Sequence, residues 1–319
     1  MSYRIVCRLG VFAVAALGCA KADKQGADSS KPAGAVTPAA SPTTATKVGE
    51  TGGMKSPESV RYDSELDVFY VSNINGSPSQ HDGNGFIAVV RADSMGAATK
   101  ILVEGGKKGA KLDAPKGLAL VGDTLWVADI NHVRAFNRRT GAPIADIDLS
   151  AQKATFLNDV VADGSGAIYV TDTGILIDAK GAMSHPGIDQ IFKITGRTAV
   201  ALRPDSLDAP NGIAWDSTSG RFILGPANSK AIQTWKEGDK TTTALVNGPG
   251  QYDGIEVLAD GRILVTSWAD SAVHIIQNGE LTTLVPNVSG PADIGVDTKR
   301  NIVAIPRFND NKVDYYKIP

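Results

Sequence analysis

Cysteine is nearly missing from this 319-residue chain: there are two, Cys7 and Cys19, and both fall within the first nineteen residues. A disulfide framework is therefore excluded for the rest, whose stability must come from burial and hydrogen bonding. Aromatic residues are only 6% and the net charge is −2. With no run of Lys and Arg interleaved with aromatics, nothing would hold a phosphate backbone, and nucleic acid is not expected as a partner. The four histidines, His81, His132, His185 and His274, show no metal-ligand spacing and are expected in surface or loop positions. No Gly-x-Ser-x-Gly elbow occurs, so a serine hydrolase lacks its nucleophile turn. No amphipathic helical period separates the apolar segments, which argues against an α/β fold.

Long hydrophobic runs are also lacking. The longest, "LGVFAVAALG" (Leu9–Gly18), follows Arg4 and Arg8 and is too short to span a bilayer as a mature helix. That layout predicts a signal peptide over 1–19 and an exported protein, periplasmic or extracellular. Ala16-Leu17-Gly18-Cys19 resembles a bacterial lipobox with its Leu one place late, which implies lipidation at Cys19. Lipid would then be the protein's only attachment to a membrane. Ordinary cleavage after Ala20-Lys21-Ala22 is the alternative. Residues 20–55 are Ala, Pro, Thr, Ser, Gly and Lys, with too few large apolar side chains to fold, and read as a disordered tether reaching roughly 30–36 Å.

Past the tether the chain repeats itself. "LDAPKGLALV" (Leu112–Val121) returns as "LDAPNGIAWD" (Leu207–Asp216), and four weaker copies can be aligned with them. On the first aliphatic residue of each (Val60, Leu118, Val160, Ile213, Ile255 and Ile294) the spacings are 58, 42, 53, 42 and 39 residues, one unit with variable loops. Within a unit, turn pairs such as Gly122-Asp123 and Asp260-Gly261 separate apolar runs too short for helices. The copy from Leu112 predicts strands at 117–121, 124–128, 133–136 and 144–149. Six such meanders make an all-β fold, a six-bladed β-propeller of four-stranded antiparallel blades over residues 56–319.

The first strand of each blade lines the channel, so aligned positions form a ring. Two places before the aliphatic residue the ring reads Glu58, Lys116, Asn158, Asn211, Asp253, Ala292. Glu58, Asn158, Asn211 and Asp253 offer oxygen and no sulfur or imidazole, a donor set for a hard cation such as Ca²⁺ or another divalent ion. The competing interpretation is that Asn211-Gly212 and Asp253-Gly254 are turns. Lys116 could offset the acidic pair, contact an anionic substrate group or point into solvent, the last being the plainest role.

These residues resemble the SMP-30/gluconolactonase family of six-bladed calcium-dependent hydrolases, with paraoxonases and diisopropyl fluorophosphatase as distant relatives. The family's metal-surrounding Glu, Asn-Asp, Asn-Gly and Asp-Gly fall in order on Glu58, Asn158, Asn211 and Asp253. The resemblance implies a lactone- or ester-opening hydrolase acting on a small molecule, with Asp253 as general base; Asn158 and, from its place in the ring, Lys116 are the expected substrate contacts. The family's Glu-Gly-Pro-x-Trp is here Glu58-Ser59-Val60-Arg61-Tyr62, and Phe156-Leu157 stands where an Arg for sugar acids often precedes Asn-Asp. "APKGLALVGDTLWVADINHVRAF" also resembles an NHL repeat, which implies a non-catalytic propeller binding a protein or glycan. Phosphotriester hydrolysis on the same metal is a third possibility.

Overall fold

The computed structural model describes residues 44–96, 100–178 and 180–319; the signal segment, Cys19 and most of the tether lie outside them. Six four-stranded antiparallel sheets follow one another along the chain. Their innermost strands are Pro57–Asp63, Pro115–Val121, Leu157–Ala162, Pro210–Asp216, Tyr252–Val257 and Gly295–Asp297. In blade 2 the four strands are Pro115–Val121, Thr124–Asp129, His132–Asn137 and Pro143–Asp148, within two residues of the strands expected from the repeat.

Successive strand residues point to opposite faces of a sheet, and a propeller buries both faces. In blade 1, Phe69 and Val71 pack toward blade 6 with Tyr315 and Ala304, while Tyr70 between them packs toward blade 2 with Leu118 and Val127. Comparable clusters fill every other junction between neighbouring blades. The core is thus six wedges between blades rather than one central mass.

Sequence reading ends the tether at residue 55, and the structure corrects this. Thr46–Thr51 is the outermost strand of blade 6, antiparallel to Lys312–Lys317, so the last blade is completed by the start of the domain. "TKVGET" escaped notice because an outer strand needs only backbone pairing. Thr51 alone is buried in it, its hydroxyl 3.1 Å from the Tyr315 hydroxyl.

Each inner strand in blades 1 to 5 breaks register with its neighbour at one place: Pro57/Val60, Pro115/Leu118, Leu157/Val160, Pro210/Gly212 and Tyr252/Ile255. The ring residue falls inside every one of these bulges. A bulge leaves an extra residue out of the ladder and re-aims its side chain. The repeat therefore builds the same aiming device five times and loads it with four kinds of side chain, Glu, Lys, Asn and Asp.

Candidate functional site

The bulges turn Glu58, Lys116, Asn158, Asn211 and Asp253 into the floor of one cavity of about 440 Å³ at the channel mouth. Ala292, the sixth member, is fully buried and adds no donor. Asn211-Gly212 and Asp253-Gly254 are not turns: both pairs lie within strands. A Cβ on Gly212 would sit 1.8 Å from Asp253 O, and one on Gly254 would sit 2.5 Å from Ile294 N. Glycine is needed there because the next inner strand passes against it, and the residue before it is left to face the cavity.

Neighbours fix the ring side chains. The Thr173 hydroxyl gives its single proton to Pro210 O at 2.9 Å, so it must accept the 3.0 Å bond from Asn158 Nδ2. That orients the Asn158 amide, leaving its carbonyl oxygen free. Trp268 Nε1 donates to Asp253 Oδ2 at 2.8 Å and holds that carboxylate by one oxygen. Glu58 Oε2 and Asn211 Oδ1 are buried acceptors with no hydrogen-bond partner.

The electrostatics follow from burial. Glu58 is held well above the usual carboxyl range by desolvation, then by the charges of Asp253 and Asp293. Asp253 is pushed up to about 7 by burial and Asp293, against the Trp268 hydrogen bond. One step deeper, Ser59 Oγ donates to Asp293 Oδ2 at 2.5 Å, and Asp159 accepts the amides of Val160 and Ile213 at 2.7 and 2.8 Å.

Lys116 does not point into solvent. It is 1% exposed, its Nζ 3.3 Å from Ala114 O and 4.2 Å from the centre of the Phe156 ring. Burial lowers it to about 8, against the opposing pull of Glu58, Asp129 and Asp172. Phe156, standing near the place of the sugar-acid Arg, thus faces a cation instead of supplying one.

The histidines lie apart from this floor, each beside an aspartate: His81–Asp113 at 3.2 Å, His132–Asp146 at 2.7 Å, His185–Asp189 at 2.6 Å and His274–Asp270 at 3.0 Å. His274 departs from the surface-or-loop expectation, being buried within the strand Ala272–Gln277. Among the described residues, no group of three or more His, Cys, Asp and Glu converges as a metal cluster. The ring offers two carboxylates and two amides, and its two orphaned oxygens fit a hard cation, which would satisfy both.

The sequence profile described as SMP-30/Gluconolactonase/LRE-like region matches residues 57–295, three quarters of the chain. The chain belongs to this family. The matched residues include the whole ring, from Glu58 to Ala292. No curated protein matches the sequence. Among solved structures, one described as "Streptogramin B lyase structure" is similar in shape, with a TM-score of 0.55 and 13% identity over 86% of this chain and 97% of that one. At that identity the likeness shows the propeller fold and nothing of the chemistry.

Sequence reasoning assigned no role to Thr173 or Trp268. Each lies one residue past the second strand of its blade, outside the aligned column, where the repeat carries no signal. Two long Gly-rich loops, 73–85 and 173–190, reach the cavity through Ile74 and Pro78 and through Ile175, Ile177 and Met183.

Proposed function

We propose that this family member is an exported calcium-dependent hydrolase that opens a lactone or ester by attack of water. The observation that carries the proposal is the floor itself. Two orphaned buried oxygens, on Glu58 and Asn211, share it with the Asn158 amide and the Asp253 carboxylate. Glu58, Asn158, Asn211 and Asp253 would hold the ion. When bound, Ca²⁺ supplies Lewis-acid polarisation of the carbonyl and balances the two carboxylates. Asp253, anchored by Trp268 through Oδ2, has Oδ1 available to take the proton of the attacking water. Asn158, locked by Thr173, orients the substrate, and Lys116 offers an N–H donor to a substrate oxygen. Export rests on Arg4, Arg8 and the apolar run before Cys19.

The test is metal content of the purified domain and activity on lactones, esters and phosphotriesters, with and without chelator, beside Glu58→Gln and Asp253→Asn. Chelator-sensitive turnover lost in both variants is the expected result. A metal-free, inactive protein whose melting temperature ignores Ca²⁺ would overturn the proposal. Calcium-dependent stability without turnover would replace it with a binding propeller, and turnover of phosphotriesters alone would replace the substrate class.

A further inference from the structure

The floor of the cavity is polar, but its wall is not. Above the ring stand Ile74, Ile175, Ile177, Met183, Trp268 and Phe308, with the Trp268 and Phe308 rings 5.7 Å apart. Three of these come from an arch inserted in blade 3 between Asp172 and Gln190. Within it, Leu176–Ile177 and Met183–Ser184 pair only with each other, forming a two-stranded sheet separate from the blade. Ile177 and Met183 are direct cross-strand partners, and both line the cavity. The fold does not need them there. Met183 is 66% exposed, the most exposed large apolar side chain among the described residues. An element that adds nothing to blade packing yet keeps an Ile–Met pair over the cavity is an unfilled apolar contact surface.

Two hydroxyls above the floor are already engaged, while the Asn228 and Gln251 side chains, which also line the cavity, are exposed to solvent. The Thr173 hydroxyl is spent on Pro210 O, and the Tyr252 hydroxyl donates to Lys230 O at 2.8 Å. A polyhydroxylated ring lying along Ile175, Ile177 and Met183 would bury hydroxyls against side chains that offer no partner, at the cost of each lost hydrogen bond.

We propose that the substrate carries a hydrocarbon chain: an alkyl-substituted lactone or an ester of an apolar acyl group, its carbonyl on the floor and its chain along Ile175, Ile177 and Met183 toward Trp268. The inference rests on the cavity being the hydrolytic site. Its test is kcat/KM with Ca²⁺ for γ-lactones bearing alkyl substituents from methyl to octyl, beside a polyhydroxylated lactone. Turnover should rise about three- to fourfold per methylene over the first several carbons, with the polyhydroxylated lactone poorest. Met183→Ser and Ile177→Ser should lower that slope, the loss growing with chain length. Met183 is exposed and outside the blade ladder, so its replacement leaves the fold in place. A flat series, or preference for the polyhydroxylated lactone, overturns the inference.

If neither lactones nor esters are turned over, the hydrolase proposal fails while the chain-binding surface stays testable by direct binding. In that case n-alkyl carboxylates of four to ten carbons are titrated against tryptophan fluorescence, with Trp268→Phe assigning the signal. A Kd that falls with each methylene supports the surface. A Kd independent of length, or no binding at any length, overturns it.

Discussion

Glu58 has the least tolerable surroundings of any side chain in the ring. It is buried, one oxygen lacks a partner, and Asp253 and Asp293 oppose its charge. A buried carboxylate in that position destabilises the fold unless something neutralises it. Glu58→Gln keeps the shape and removes the charge. The expected outcome is a pair of opposite changes in calorimetry. In chelator the variant melts at or a few degrees above the wild type, about 2–4 °C for each kcal/mol relieved; in Ca²⁺ it loses the wild type's ligand-induced rise. A purely structural role for Glu58 would lower both melting temperatures together. Trp268 is a positioning residue for Asp253. Trp268→Phe removes the 2.8 Å donor that opposes protonation of that carboxylate, so the acid limb of the kcat/KM profile should move to higher pH. An unmoved acid limb beside a lower plateau would mean that the indole merely fills space.

Strands were legible where the repeat speaks and silent where it does not. Inner and second strands could be aligned because their apolar alternation fills the same wedge six times, as with Phe69, Tyr70 and Val71. The ring column was legible for a related reason: a bulge placed at the same register selects the same alignment position. Burial of Lys116 was not, because the charge suggests solvent and only the packed Phe156 ring shows why it stays inside. Nor was Thr46–Thr51, a strand held by backbone bonds to Lys312–Lys317 with five of its six residues unburied. Its silence in sequence does not make it dispensable. Without it the edge Lys312–Lys317 is unpaired, and the ends of the ring are joined only by the contacts between blades 1 and 6, such as the Phe69–Tyr315 wedge and the Asp67–Arg300 pair. A chain beginning at Thr44 should melt like the full-length protein, while one beginning at Gly52 should melt several degrees lower and self-associate in size-exclusion chromatography. Equal melting and a monomeric profile for both would show that three-stranded blade 6 suffices.

Around the whole ring, charge is sorted by depth, and the two depths respond to pH in opposite senses. Near the outer edge Asp67 receives both nitrogens of the Arg300 fork at 2.8 and 2.6 Å, which joins blade 1 to blade 6 and holds its carboxyl below the usual range. A carboxyl depressed on folding contributes stability above about pH 4, lost as pH falls through its folded value. Along the channel the reverse holds. Burial raises Glu58, Asp159, Asp253, Glu256 and Asp293, with Asp159 and Asp253 at about 7. The folded protein then binds more protons than the unfolded chain, and stability falls as pH rises from about 4 to the folded values. For Asp253, moving from 3.8 to about 7, the loss is on the order of 4 kcal/mol. In chelator, stability should therefore peak near pH 5 and decline toward pH 8. A cation held by Glu58 and Asp253 favours their ionised forms and should lift the alkaline side most, moving the maximum toward neutrality. Asp159 accepts two backbone amides below the ring, outside that donor set, so part of the decline should persist in Ca²⁺. Melting temperatures from pH 4 to 9 at fixed ionic strength, in chelator and in saturating Ca²⁺, decide the matter. Parallel profiles would mean that no divalent ion balances the ring carboxylates, and a convergence at low pH that opens steadily above pH 6 is the expected result.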